Sequence, residues 1–253
     1  MSGAAVIVQA RMTSTRLPGK VLKDLAGHTV LHHVLRRCAA IPGIDSVCCA
    51  VPEGAAHDPI VAEAERAGAW VFRGSETDVL ARYAGAARVA GAPALMRVTS
   101  DCPLIDPELC GRVLAQVRDG GADYACNNMP SSWPHGLDCE AFTAAALFEA
   151  EAEAQDSYER EHVTPWLRKA PHLRRANVPG PGGWAAEQRW TLDLPEDYAF
   201  FQALFPLLGP LPVIPSTADV LALLRTRPDI ASINAGHAEV SRPQTPIAPK
   251  EIP

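Results

Sequence analysis

Twelve residues near the amino terminus, Gln9–Lys20 (QARMTSTRLPGK), carry three cations, Arg11, Arg16 and Lys20, and three hydroxyls, Thr13, Ser14 and Thr15. The stretch follows the apolar run AAVIV, residues 4–8, and leaves through the stiff pair Pro18-Gly19. Such a loop has the parts of an anion site. Backbone amides at a strand-to-helix junction donate to phosphate oxygens. Arg16 suits bidentate contact with an anion, and Lys20 acts as a point charge. A solvated basic turn has the same composition. The loop matches neither G-x-x-x-x-G-K-[ST] nor G-x-G-x-x-G, since its one glycine is Gly19.

The acidic candidates lie further along. Asp101 in TSDCP and Asp193 in TLDLP each precede a proline by two residues, as at the end of a strand. If the two strands are neighbours, both carboxylates face one cleft. That suits Mg²⁺, which takes a few carboxylates together with substrate phosphates and water. Either residue read alone is also a turn aspartate; Asp106 is the better cap for the helix after Asp101, and Glu196 and Asp197 supply first-turn charge after Asp193. Asp138 and Glu140 alternate along an apparent strand and so share a face. They suit an acceptor, a second metal or a pairing with Arg160. Arg160 and His162, in EREHVTP, suit an acidic acceptor. No H-E-x-x-H pattern and no Ser/His/Asp or Cys/His nucleophile arrangement stands out.

The elements that must position these residues alternate. Runs at 4–8, 46–51 (SVCCAV), AWVF, ALMRV and ADYAC read as strands; HTVLHHVLRRCAAI, DPIVAEAERAG, TDVLARYAGAARVAG and DPELCGRVLAQVRDGG read as helices between them. Asp-Pro starts and glycine stops mark two of these helices. Strand–helix alternation predicts an α/β fold with parallel strands and crossovers on both faces. In such sheets ligands sit beyond the carboxyl ends of the strands, where the opening loop and TSDCP both fall. That position favours phosphate over a solvated turn. The second half is less regular: LDCEAF (137–142), HLRRANV and RWTLD read as strands. From Arg227 the chain turns polar and Pro-rich, which predicts an extended or disordered tail over residues 227–253.

At 253 residues and 47% hydrophobic, the chain can bury one full core. A net charge of −6 argues against nucleic acid as a partner, so the basic loop is a local cluster for a small anion. Seven cysteines without C-x-x-C spacing read as buried, reduced thiols. No basic leader precedes the first strand, and no apolar run approaches a membrane span of about 20 residues. A cytoplasmic location and no membrane partner are expected.

With these residues in view, VQARMTSTRLPGKVL resembles the opening signature of the cytidylyltransferases that activate acidic sugars, such as CMP-Kdo and CMP-sialic acid synthetases. Within that family it is most similar to the branch labelled spore coat polysaccharide biosynthesis protein F-like. GSETDVLARY (74–83), RVTSDCPLIDP (97–107), GLDCEAF (136–142), EREHVTP (159–165) and WTLDLPEDY (190–198) keep the family's order. The resemblance implies a Rossmann-like nucleotidyltransferase fold: a mostly parallel sheet, helices on both faces, and a small inserted substrate and dimerisation subdomain near 127–177 of a single domain, 1–226. It implies transfer of CMP from CTP to a small acceptor, release of pyrophosphate, Mg²⁺ on Asp101 and Asp193, and a homodimer.

By the same resemblance Gln9, Ala10, Arg11, Ser14, Thr15, Arg16, Lys20, Ser100 and Asp101 hold the nucleotide, with Arg11, Arg16, Lys20 and Asp101 also catalytic. Gly74, Ser75, Asp78 and Arg82 would lie over the base. Asp78 is equally a helix cap, and Arg82 its i,i+4 partner. Asp138, Glu140, Arg160 and His162 would face the acceptor. Two departures stand out: Gln9-Ala10 replaces a glycine frequent in the family, and the acceptor half matches the Kdo and sialate enzymes poorly. The acceptor is therefore not carried over, and a phosphonate or other non-sugar acceptor remains an alternative. A related nucleotide-sugar glycosyltransferase would show D-x-D, where this chain has only Asp138-x-Glu140.

Overall fold

The computed structural model describes residues 3–237. Its centre is strand β1 (Ala4–Gln9), whose first five residues are completely or almost completely buried. Ala4, Val6 and Val8 point into one core, and Ala5 and Ile7 into another. A strand buried on both faces needs apolar side chains at every position, which is what AAVIV supplies.

After β1 come the cationic loop, a short hairpin of β2 (Asp24–Leu25) and β3 (His28–Thr29), and α1 (Val30–Ala39). Then follow β4 (Ser46–Pro52), α2 (Asp58–Arg66), β5 (Trp70–Gly74), α3 (Val79–Ala90), β6 (Ala94–Thr99), α4 (Pro107–Arg118) and β7 (Tyr124–Cys126). The rest comprises β8 (Glu140–Thr143), α5 (Ala144–Glu153), α6 (Ser157–His162), α7 (Pro165–Lys169), β9 (Arg175–Asn177), α8 (Gly183–Ala186), α9 (Pro195–Leu204), α10 (Thr217–Thr226) and α11 (Pro228–Ala231). The main sheet has seven strands in the order β5-β4-β1-β6-β8-β7-β9. All are parallel except β8, which runs against both neighbours. Side chains of α1, α2, α4, α9 and α10 fill the core on one face, and those of α3, α5 and α7 the other. The α/β architecture is the expected one. Strand order reverses between β1 and β6, so their carboxyl ends open a crevice, the usual ligand position in such sheets.

Three expectations need correction. The LDCEAF strand starts only at Glu140, so Asp138 precedes it and does not alternate with Glu140 along one strand. RWTLD is not a sheet strand; it is an extended segment with one bridge, His135 to Arg189. Residues 227–237 are not an extended tail. Pro228–Ala231 is helical, Ile230 is buried, and the buried Asn234 donates to the carbonyl of Arg189 and to Asp197 Oδ1, both at 2.9 Å. The polar composition misled because Asn234 satisfies buried acceptors rather than meeting water. The remainder of the predicted tail, 238–253, lies outside the described residues.

Asp197 is wholly buried and takes Arg189 in a fork at 2.8 and 2.9 Å, together with the backbone amides of Asp193 and Leu194. Asn234 completes this hub. Asn234→Ala should therefore cost about 1–3 kcal/mol, the penalty for buried groups left unpaired. Urea unfolding would show it as a lower midpoint at unchanged slope; an unshifted midpoint would mean that the Asn234 side chain adds nothing to this hub.

Candidate active site

Three segments meet at the crevice. The loop after β1 and the turn after β6 are joined by the Ser100 amide, which donates to the Gln9 carbonyl at 3.2 Å. The amide of Leu192 donates to the carbonyl of Asp101 at 2.8 Å, bringing the Asp193 segment alongside. Gly136 permits this approach: at φ +109°, a Cβ there would collide with the backbone of Trp190. Asp101 and Asp193 thus converge although only Asp101 follows a sheet strand.

Lys20 lies between them. Its Nζ is 2.7 Å from Asp101 Oδ2 and 2.7 Å from Asp193 Oδ1. Arg16 Nη2 reaches Asp193 Oδ2 at 3.2 Å. Burial disfavours the Lys20 ammonium, but the two carboxylates outweigh it and hold the pKa above the ordinary lysine value. Burial likewise opposes the Asp101 carboxylate, and Lys20 with hydrogen bonding outweighs it, so Asp101 stays ionised well below the usual range.

Two cavities flank this cluster. The smaller, about 220 Å³, is walled by the opening loop and the end of β6. Gln9, Ala10, Arg11, Ser14, Thr15, Arg16, Lys20, Ser100 and Asp101 all line it, as does Arg82. Gly74, Ser75 and Asp78 are not in this lining. Ser75 Oγ accepts the Asp78 amide at 3.0 Å, and Asp78 caps α3 through the Ala81 amide at 2.9 Å. Arg82 does not pair with Asp78; it donates to the Ser75 carbonyl. The larger cavity, about 500 Å³, is lined by Asp138, Glu140 and His162 among others. Gln9, Thr99, Asp101, His162 and Asp193 line both, so the cavities share a seam at the two aspartates.

Glu140 does not pair with Arg160, and its position differs from either an open ligand or a second metal site. Its Oε2 accepts from Arg97 Nη1 at 2.6 Å, and its Oε1 from Arg168 Nε at 3.0 Å and Tyr124 Oη at 2.5 Å. Burial would raise its pKa, but the two guanidiniums and the phenol pull it down to about 2 from an ordinary 4.5. Glu140 is an internal counter-ion presenting Arg97 and Arg168 to the cavity. Both arginines line it, and Arg97 Nε is buried without a hydrogen-bond partner among the described residues. Sequence reasoning missed both. The signal was present for Arg97, a charge inside the otherwise apolar strand ALMRV.

Arg160 is outside the lining and faces the other way. It forks onto Asp78 through Nε at 3.0 Å and Nη2 at 2.5 Å, tying α6 to the start of α3. Between α6 and α7, buried Val163 adopts φ 70°, ψ −54°, and the Thr164 amide donates to the His162 carbonyl at 2.8 Å. A positive-φ three-residue turn at a β-branched residue is strained, by about 1–3 kcal/mol. It directs His162 and Thr164 to the cavity while Arg160 points to Asp78.

Among the described residues no three His, Cys, Asp or Glu side chains gather as a metal cage. Asp101 and Asp193 nonetheless converge on one cationic group through oxygen donors, which fits a hard cation that completes its shell with phosphate and water.

Residues 5–202 match the cytidylyltransferase family model. The chain belongs to the cytidylyltransferase family. This cytidylyltransferase is 33% identical over 92% of its length to spore coat polysaccharide biosynthesis protein SpsF of Bacillus subtilis (strain 168), covering 98% of that protein. It is 30% identical to a 3-deoxy-manno-octulosonate cytidylyltransferase of Anaeromyxobacter sp. (strain Fw109-5), over 74% of this chain and 82% of the relative. Its fold superposes with a TM-score of 0.85 on the structure of a cytidylyltransferase from Leptospira borgpetersenii serovar Hardjo-bovis (strain JB197), at 27% identity, covering 91% of this chain and 97% of the other. No helix among the described residues is long and apolar enough to cross a membrane.

Because Glu140 is depressed in the folded state, its stabilising contribution is present above about pH 4.5 and is lost as pH falls through about 2. Glu140→Gln leaves two buried guanidiniums short of their counter-ion and should cost about 3 kcal/mol at neutral pH. Its stability should also vary less than wild type between these two pH values. Chemical denaturation across that range is the measurement; equal stabilities at pH 7 would remove Glu140 as the organiser of this floor.

Proposed function

We propose that this cytidylyltransferase transfers CMP from CTP to a small acidic acceptor, such as an acidic sugar, and releases pyrophosphate. The observation that carries the reading is the pair of cavities meeting at Asp101 and Asp193, one lined by the cationic loop and the other floored by Arg97 and Arg168. The triphosphate belongs in the smaller cavity, where Arg11, Arg16 and Lys20 and the loop amides neutralise it. The acceptor belongs in the larger one, with its anionic group toward Arg97 and Arg168 and its hydroxyl toward the seam. Asp138 and His162 stand beside it there.

The acceptor hydroxyl gives up its proton to solvent as its oxygen bonds to the α-phosphorus and the bond to the α,β-bridging oxygen breaks, in line, with pyrophosphate leaving. The chain contributes positioning and charge neutralisation, without a covalent intermediate. Asp101 and Asp193 would hold Mg²⁺, which when bound would neutralise phosphate charge and polarise the α-phosphate. Arg82, and the strip from Gly74 to Asp78 that Arg160 braces, stand on the side of the nucleotide base. Similarity to the spore coat protein supports a place in surface polysaccharide synthesis. Buried free thiols suit a cytoplasmic enzyme, and residues 127–177 supply the surface for a homodimer.

Pyrophosphate release tests this, with CTP, UTP and ATP and a panel of carboxylate sugars, phosphonates and sugar phosphates in the presence of Mg²⁺. CTP with a carboxylate acceptor should be fastest. Equal rates with UTP, or turnover confined to uncharged acceptors, would defeat the reading. Arg97→Ala should raise the acceptor KM by tenfold or more, about 1.5–3 kcal/mol for a charge-assisted contact, while the KM for CTP stays near wild type.

A further inference from the structure

Lys20 occupies the position that a divalent cation would need. Its Nζ stands 2.7 Å from one oxygen of each aspartate, and Arg16 takes the second Asp193 oxygen. The remaining oxygen, Asp101 Oδ1, accepts from the Cys102 thiol at 3.7 Å, and the Thr99 hydroxyl also bonds this carboxylate. Two carboxylates so close would repel each other if no cation stood between them. The ammonium supplies that charge, and its side chain is largely shielded from water, at 12% exposure.

A divalent ion approaching these aspartates alone faces two obstacles. It must shed tightly held water for only two protein carboxylates, with no third His, Cys, Asp or Glu ligand among the described residues. It must also break two short charge-assisted bonds to Lys20. Both obstacles fall when a triphosphate comes with it. The phosphates bring the missing oxygen ligands, and they offer Lys20 new partners for those it gives up. Lys20 already lines the smaller cavity, and its flexible four-carbon stem can turn from carboxylates to phosphates without moving the backbone.

We infer that Lys20 is a resident substitute cation: it holds Asp101 and Asp193 together, keeps a divalent ion from binding alone, and moves to the phosphates when metal and CTP bind together. The inference rests on the aspartate pair being the metal site, as proposed above. It gives Lys20 two successive partners and makes metal entry depend on the nucleotide.

Mn²⁺ serves as the probe, its free fraction read by electron paramagnetic resonance, with no acceptor and no turnover. Wild type should bind Mn²⁺ weakly by itself, and with CTP added should take up more Mn²⁺ than the same CTP chelates without protein. Lys20→Met should bind Mn²⁺ alone about tenfold or more tighter than wild type, equivalent to about 1.4 kcal/mol. Adding Asp101→Asn to that variant should abolish the gain, which places the ion at the aspartates. Lys20→Gln, a polar replacement, should show the same gain and serves if Lys20→Met is misfolded by circular dichroism. Wild type binding Mn²⁺ alone as tightly as the lysine variants would overturn the inference, as would lysine variants that gain nothing. Failure of every acidic acceptor in the pyrophosphate assay, with this Mn²⁺ pattern intact, would instead count against the acceptor reading alone.

Discussion

The bridge from Lys20 to Asp101 and Asp193 is the interaction on which the site depends. Each partner comes from a different part of the chain, and moving one strands the others unless another charge takes its place. Ionic groups shielded from water are costly unless well paired, and removing one partner is worse than never having had the set. The surrounding backbone therefore has to hold the three within hydrogen-bonding distance. It does so through the Ser100 amide on Gln9, the Leu192 amide on Asp101 and the close passage of Gly136 against Trp190. Behind Asp193, the buried Asp197 hub sets the backbone of residues 193 and 194 and reaches Asn234 in the last described turn.

The larger cavity follows the same rule with opposite signs. There one carboxylate, Glu140, organises two guanidiniums instead of one ammonium organising two carboxylates. Bonded to Arg97, Arg168 and Tyr124, Glu140 holds two guanidiniums at the floor of the cavity. Through Arg160 and the strained turn at Val163, helices α6 and α7 connect this floor to the start of α3 beside the smaller cavity. One short helical pair thus touches both cavities.

The alternating strands and helices were legible in the chain because β1, β4 and β6 are buried on both faces and must be apolar throughout, while Asp-Pro starts mark α2 and α4. The cationic loop and Asp101 were legible for a related reason: each follows a strand whose carboxyl end topology places at the crevice. Asp193 was found by its motif, although the strand assigned to it is an extended segment held by a single bridge.

The sequence by itself determined the α/β class, the family and the residues of the cationic loop, since those rest on local patterning and ordered motifs. Only the tertiary structure decided the partners. Lys20 between two aspartates, Glu140 with Arg97 and Arg168 instead of Arg160, and Asn234 beneath Asp197 are all contacts between distant segments. Charge pairing depends on which side chains are brought within about 3 Å in a shielded place, and spacing along the chain carries no record of that distance.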